Sequence, residues 1–130
     1  MQSVQPFLRA INAVYPDFVV ETAVFNDEGQ YNHVLVVNGA TIFRFPRYPG
    51  GLEQLALETK ILTAVQPFLP LAVPNPTYVH FAPPVIGQAF MGYQMIPGEP
   101  LYPPAFAQIA DQDSLAAQIG QFLRALHAVP

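Results

Sequence analysis

The sequence has 130 residues, a length typical of a single domain, and no cysteine, which excludes disulfides and thiolate metal sites. Hydrophobic residues make up 52% of it, with ten Phe and six Tyr, so the composition excludes a disordered chain. The net charge is −4 and the five Lys and Arg residues are scattered, which excludes the basic stripe of a nucleic-acid-binding surface.

Charged residues make up only 11% of the chain, against about 25% in average proteins. This deficit indicates an apolar binding surface or a face that a partner covers, and a charge-poor soluble domain is the alternative. Polar or helix-breaking residues interrupt the first twenty positions, so we expect no signal peptide. No apolar run is long enough to span a membrane. We therefore expect a cytoplasmic protein without a membrane or nucleic-acid partner.

The first half of the chain predicts a helix followed by an antiparallel meander. Residues 3–14 carry apolar side chains at helical spacing, with Ser3 as the predicted N-cap and Pro6 in the first turn. Tyr15, Pro16 and Asp17 end this helix. Three apolar, β-branched strands then follow, joined by tight turns at Asn26–Gly29 and Asn38-Gly39: Phe18–Phe25, Tyr31–Val37 and Thr41–Phe45.

The second half predicts a helix, two more strands and further helices. After a loop over residues 46–51, Leu52–Val65 has the apolar spacing of a helix, which Pro67 and Pro70 end. Short strands are predicted at Thr77–Phe81 and Gln88–Ile96. A short helix near Pro104–Ala110 precedes a clearly amphipathic one over Ser114–Ala128. These elements indicate an α+β fold built on a five-stranded antiparallel sheet.

Arg44 and Glu58 are the first candidates for a functional site. Arg44 lies in the third predicted strand, between Phe43 and Phe45, where an unpaired buried charge is costly, so it needs a carboxylate or a phosphate as partner. Glu58 borders the buried side of the following helix, and Glu53 is the nearest rival carboxylate. The alternatives are a structural ion pair, an arginine that reaches solvent, and a Glu58 that is solvated or paired with Lys60.

Two further segments are candidates for contacts with a nucleotide. A hairpin loop over residues 26–32 contains one glycine and can bring backbone N–H groups close to phosphate oxygens. Residues 92–100 end the last strand in an extended Pro-Gly segment, whose unpaired backbone groups can contact an adenine edge. Taken alone, each segment is more typical of an ordinary surface hairpin or strand end. Their order in the chain is that of a kinase N-terminal lobe, where a strand-three cation pairs with a helix glutamate and with phosphates.

The chain resembles the phosphotransferase family that includes aminoglycoside phosphotransferases, homoserine kinases and related small-molecule kinases. The resemblance extends over residues 17–130 and lies in four segments: EGQYNHVLVVNGATIFRFPR, LALETKILTAVQPFLPLAVPNPTYV, FMGYQMIPGEPL and LAAQIGQFLRALHAV. It implies a protein-kinase-like N-terminal lobe over residues 1–97, with the helix after strand three packed on the sheet. It also implies that residues 98–130 form a hinge and the first helices that lead to a C-terminal lobe.

The resemblance further implies a binding site for ATP or GTP, with Mg²⁺ in the full-length parent. Arg44 corresponds to the phosphate-binding cation and Glu58 to the glutamate that orients it. The hinge backbone would contact the base through the Gln94 carbonyl and the Ile96 amide, with Tyr93 just before the hinge and Ile42 under the adenine. Gly29 and Asn32 correspond to the phosphate-covering loop.

The family's catalytic Asp and metal ligands lie in a C-terminal lobe, and no HGDxxxxN-like stretch occurs here. We therefore expect a fragment without catalytic residues or metal ligands, inactive alone, whose parent transfers phosphate to a small-molecule hydroxyl. We expect a homodimer to form through the surface that the other lobe would cover. The second hypothesis is a non-catalytic, kinase-like binding or protein-interaction module.

Overall fold

The computed structural model describes residues 3–26, 31–98 and 101–130. Five strands form one antiparallel sheet in the order β1-β2-β3-β5-β4, which confirms the predicted α+β fold with a five-stranded sheet. The strands are β1 (Ala23–Asn26), β2 (Asn32–Val37), β3 (Thr41–Pro46), β4 (Tyr78–His80) and β5 (Phe90–Gln94). The helices are α1 (Gln5–Val14), α2 (Pro49–Val65), α3 (Pro103–Ala107) and α4 (Gln112–His127), and a 3-10 turn over Gln66–Phe68 follows α2.

The core lies between α1 and one face of the sheet. Phe7 and Ile11 on α1 are four residues apart, so both side chains leave the same side of the helix and are buried there. The ring centroids of Phe7 and Phe45 are 4.9 Å apart. Alternate residues of β2, β3 and β5 complete this buried cluster: Leu35, Val37, Phe43, Phe45 and Phe90. The residues between them therefore point to the other face of the sheet.

The turn between β2 and β3 forms as the Asn-Gly pair predicts. Asn38 and Gly39 have φ values of 57° and 61°, the left-handed conformation that a tight hairpin turn requires at both positions. The Asn38 side chain also contacts the segment before β1. Its Nδ2 donates to the Val19 carbonyl at 2.8 Å, and its Oδ1 accepts from the Glu21 amide at 2.7 Å.

The prediction of a strand over Phe18–Phe25 is wrong in its first half, because β1 begins only at Ala23. The backbone groups of the preceding residues are satisfied by the Asn38 side chain instead of by a neighbouring strand. Phe18 packs edge-on against Phe43, with centroids 5.5 Å apart, whereas Val19 is exposed. The apolar composition of this stretch therefore reflects ring packing and not strand pairing.

Smaller corrections concern the ends of elements. Helix α1 begins at Gln5, and Ser3 Oγ accepts from the Gln5 amide at 3.1 Å although the N-cap position itself is Val4. Helix α2 begins three residues before the predicted start, because Pro49 occupies its first turn with two glycines behind it. Strand β3 extends one residue beyond the prediction, to Pro46, whereas β4 and β5 are shorter than predicted. Helix α3 ends at Ala107, and α4 begins at Gln112.

Close packing fixes β5 between β3 and β4. Gly92 on β5 lies opposite Phe43 on one side and Tyr78 on the other. A Cβ at this position would lie 2.6 Å from Cε1 of Phe43, so only glycine leaves room for the ring.

The Tyr15 hydroxyl, just after α1, forms hydrogen bonds with the backbone of β4, which is one edge of the sheet. It accepts from the Val79 amide at 3.0 Å and donates to the Val79 carbonyl at 3.3 Å. These backbone groups would otherwise be open on the edge strand. The contact therefore fixes the position of α1 relative to β4.

Helix α4 is amphipathic, and its N-cap is Asp111, whose Oδ1 accepts from the Ser114 amide at 2.9 Å. No residue of α4 is buried, and Ile119 and Leu123 are 44% and 45% exposed. The apolar side of α4 is therefore largely open. Across the described ranges, no helix is long and apolar enough to cross a membrane.

Candidate nucleotide-binding site

Arg44 and Glu58 form a two-pronged ion pair between β3 and α2. The Nη1 and Nη2 atoms of Arg44 donate to Oε1 and Oε2 of Glu58 at 2.8 and 3.2 Å. Such parallel hydrogen bonds fix the plane of the guanidinium as well as its position. The predicted contact between the two side chains is therefore present. Glu53 is exposed and takes no part in it.

The register of the sheet places the ion pair on the face opposite α1. Residues paired across antiparallel strands point to the same face, and Arg44 pairs with Val34 on β2 and with Met91 on β5. Ile42 and Tyr93 form the neighbouring pair on this face. Apolar side chains and one aromatic ring thus surround the charged pair.

A small cleft of about 50 Å³ opens beside the ion pair. Tyr31, Asn32 and Gly51 line it together with Gln54. Asn32 Oδ1 is buried and has no hydrogen-bond partner within the described ranges. A buried amide oxygen without a partner is costly, so a water molecule or a ligand is the expected partner.

The environment of Tyr93 depends on the same ion pair. Burial raises the pKa of the Tyr93 phenol above its ordinary value, the positive charge of Arg44 lowers this pKa, and the negative charge of Glu58 raises it. The phenol therefore stays neutral well above neutral pH and remains a hydrogen-bond donor.

The end of β5 has open backbone groups. The Met95 amide donates to the Ala40 carbonyl at 2.8 Å, so Ala40 and Met95 form a hydrogen-bonded pair. Such pairs alternate with non-hydrogen-bonded pairs along antiparallel strands, and the adjacent pair, Thr41 and Gln94, is therefore of the second kind. The Gln94 carbonyl consequently faces away from β3, and β4 pairs with β5 only as far as Gly92. Ile96 follows in extended backbone and is exposed.

The structure thus brings Arg44, Glu58 and Asn32 to one cleft, and it places Ile42 and Tyr93 on the same face of the sheet. Gln94 and Ile96 lie at the far end of β5. Gly29 lies outside the described residues. Within those residues, no three side chains of His, Cys, Asp or Glu converge as metal ligands do.

Gln54 and Gly51 also line the cleft, although no sequence motif predicted a role for either of them. Gln54 lies four residues before Glu58, one helical turn away on the same side of α2, and this spacing is a signal that the sequence contains. A Cβ built on Gly51 would lie 3.4 Å from the carbonyl oxygen of Tyr31. No sequence pattern reveals that these two residues lie so close together.

Comparisons with known proteins identify the family and the fold of the chain. The profile of the phosphotransferase enzyme family matches residues 22–130. A GDP and kanamycin complex of an aminoglycoside phosphotransferase matches with a TM-score of 0.84 and 27% identity, over 98% of this chain and 43% of that one. The GDP complex of wild-type aminoglycoside 2′-phosphotransferase-IIIa matches with a TM-score of 0.84 and 27% identity, over 99% and 43%. No curated protein matches the chain significantly.

A streptomycin–ATP ternary complex of APH(2″)-IIa matches with a TM-score of 0.75 over 100% of this chain and 42% of that one. Its sequence is only 14% identical, so this match shows the fold alone. The chain spans less than half the length of these solved structures. The family profile nevertheless covers most of the sequence, including the ion pair and the end of β5. The chain belongs to the phosphotransferase enzyme family.

Proposed function

We propose that this chain is the nucleotide-binding lobe of a small-molecule kinase that transfers a phosphoryl group from ATP or GTP to a hydroxyl group. The proposal rests on the two-pronged contact between Arg44 and Glu58. In kinases, a strand cation held by a helix glutamate contacts the α- and β-phosphates. The nucleotide in the two matched complexes at 27% identity, GDP, supports the same class of ligand.

The exposure of the ion pair favours a binding role over a purely structural one. The Arg44 and Glu58 side chains are 20% and 40% exposed, so a ligand in the cleft can reach both of them. A guanidinium fixed in one plane is a suitable partner for phosphate oxygens, and beside it the buried Asn32 Oδ1 has no partner among the described residues.

We assign the rest of the nucleotide to the same face of the sheet. Ile42 supplies an apolar surface for the base, and Tyr93 closes the end of that surface before the hinge. The Gln94 carbonyl and the Ile96 amide supply the acceptor and donor for the edge of the base. Gly29, which lies between β1 and β2 in the sequence, is a further proposed contact of the phosphates.

We propose residues 1–97 as the lobe itself and residues 98–130 as the hinge with the first helices beyond it. The catalytic base, the Mg²⁺ ligands and most acceptor contacts would belong to a second lobe. Phosphoryl transfer depends on positioning the donor and the acceptor together, so we expect no transfer by this chain alone.

The test is nucleotide binding measured by calorimetry with ATP and with GTP, each with and without Mg²⁺. We expect Glu58→Gln and Arg44→Gln to weaken binding about tenfold or more, because each removes a charge-assisted contact to or near the phosphates. Glu53→Gln is the matched control, since it removes an exposed carboxylate from the same helix and should leave the affinity unchanged. Equal effects of the two glutamate substitutions would contradict the assignment.

A non-catalytic interaction module is the second candidate, and the exposed apolar side of α4 favours it. A homodimer formed through this side would bury Ile119 and Leu123. Sedimentation measurements on the wild type and on Leu123→Glu test this candidate. Concentration-dependent association that Leu123→Glu abolishes, without any nucleotide binding, would favour the module over the kinase lobe.

A further inference from the structure

A cavity of about 530 Å³ lies on the face of the sheet opposite the Arg44 cleft, between α1 and the connection from β4 to β5. Small-molecule sites typically have volumes of about 300–1,000 Å³. The α1 wall of the cavity includes Ala10 and Ala13, whose small side chains leave this space open beside the buried Phe7 and Ile11. The opposite wall includes His80 and Ile86.

The polar groups of the cavity are suited to an anion. Arg9 and His80 both line it, and no carboxylate among the described residues does, although the chain as a whole has a net charge of −4. Arg9 is exposed, and it has no ion pair or hydrogen bond within the described part of the chain. Its guanidinium is therefore available to a carboxylate or a phosphate, which it can bind with two parallel hydrogen bonds.

The loop between β4 and β5 adds backbone donors at the same place. Its turn is closed by hydrogen bonds from the Val85, Gln88 and Ala89 amides to carbonyls of the same loop, at 2.9, 3.0 and 2.9 Å. The amides of Ile86 and Gly87 donate to no group among the described residues. Gly87 has a φ of 88°, and no atom lies within 4 Å of a Cβ built there, so no described residue packs against this side of Gly87.

We propose that this cavity binds a small organic anion with a carboxylate or phosphate head group and an apolar body. The head group contacts Arg9 and the free amides of Ile86 and Gly87. The apolar body packs between Ile86 and the alanines of α1. This site is separate from the nucleotide cleft and does not depend on the proposed kinase function.

The probes are phenyl phosphate and benzoate, which share an aromatic ring but differ in the anion, with benzyl alcohol as the uncharged control. Titration is followed by amide chemical shifts in NMR spectra of the ¹⁵N-labelled protein. We expect the largest shifts at Ile86, Gly87 and Ala13, and an affinity for benzyl alcohol at least tenfold lower than for the better anion. Whichever anion binds more tightly identifies the preferred head group.

Arg9→Gln should weaken binding of the anions about tenfold or more, since it removes a charged hydrogen-bond donor from an exposed position. Arg124→Gln is the matched control, an exposed arginine on α4 outside the cavity, and should change the affinity less than twofold. Ala13→Leu fills the cavity without changing charge and should also weaken binding. Absence of shifts at 10 mM probe, shifts centred on Arg44 and Glu58, or equal effects of the two arginine substitutions would each overturn the proposal.

Discussion

Replacement of Gly92 by alanine tests the packing that holds β5 in the sheet. A Cβ at this position would lie 2.6 Å from Cε1 and 2.7 Å from Cδ1 of Phe43, and 3.2 Å from Cβ of Tyr78. Carbon atoms in contact are normally about 3.5–4.0 Å apart. The Phe43 ring is fully buried between its neighbours, so it has no free space into which it can retreat.

The expected loss of stability follows from two opposing effects. Adding a methyl group to a well-packed core costs about 1–3 kcal/mol. Replacing glycine by alanine also lowers the conformational entropy of the unfolded chain, which raises the free energy of unfolding by about 0.4–1 kcal/mol. We therefore expect Gly92→Ala to lower the free energy of unfolding by about 1–2 kcal/mol. With a urea m-value of about 2 kcal/mol/M, the unfolding midpoint should fall by roughly 0.5–1 M.

Urea unfolding followed by circular dichroism measures this change. Gly120→Ala is the control, because Gly120 lies in the interior of α4 with no atom within 4 Å of a built Cβ. That substitution should raise stability by about 0.5–1 kcal/mol. Combining Gly92→Ala with Phe43→Leu should recover part of the loss, since the ring that the methyl meets is then absent. A Gly92→Ala variant as stable as the wild type would refute the packing argument.

Three other substitutions test contacts in the sheet, in α4 and beside the ion pair. Tyr15→Phe removes the hydroxyl that bridges both backbone groups of Val79, and should cost about 0.5–1.5 kcal/mol and speed hydrogen exchange at the Val79 amide. Asp111→Ala removes the cap that accepts from the Ser114 amide, and should destabilise α4 by about 1 kcal/mol and reduce the helical dichroism signal. Because the folded state raises the pKa of Tyr93, the unfolded state loses its proton first, and stability should fall as the pH rises above about 10. Tyr93→Phe should reduce that alkaline loss in urea unfolding.

Each of these predictions has an outcome that excludes it. Unchanged exchange at Val79 in Tyr15→Phe would mean that the hydroxyl does not protect the edge of the sheet. Asp111→Asn keeps a capping oxygen, so an equal loss in Asp111→Asn and Asp111→Ala would exclude the capping contact as the cause. An alkaline loss of stability that is the same with and without the Tyr93 phenol would assign it to other groups.

The location of most elements was predictable because their signals are local. Helix α1 and helix α4 have apolar residues at helical spacing, and Asn38-Gly39 marks a hairpin that the structure confirms. The ends of elements depend on contacts that a local pattern does not contain. Asn38, seventeen residues from Glu21 in the sequence, is the reason why β1 starts late.

The sequence by itself determined which side chains are available for a site: a cation in an apolar strand, a glutamate on the next helix and an extended segment after the last strand. Alternation along β3 also determined that Arg44 and Phe43 point to opposite faces, because successive side chains of a strand always do. Only the tertiary structure decided that β5 lies between β3 and β4, and that Glu58 rather than Glu53 meets Arg44. These features depend on distances between segments far apart in the chain, and such distances are set by the packing of whole elements and not by any local spacing of residues.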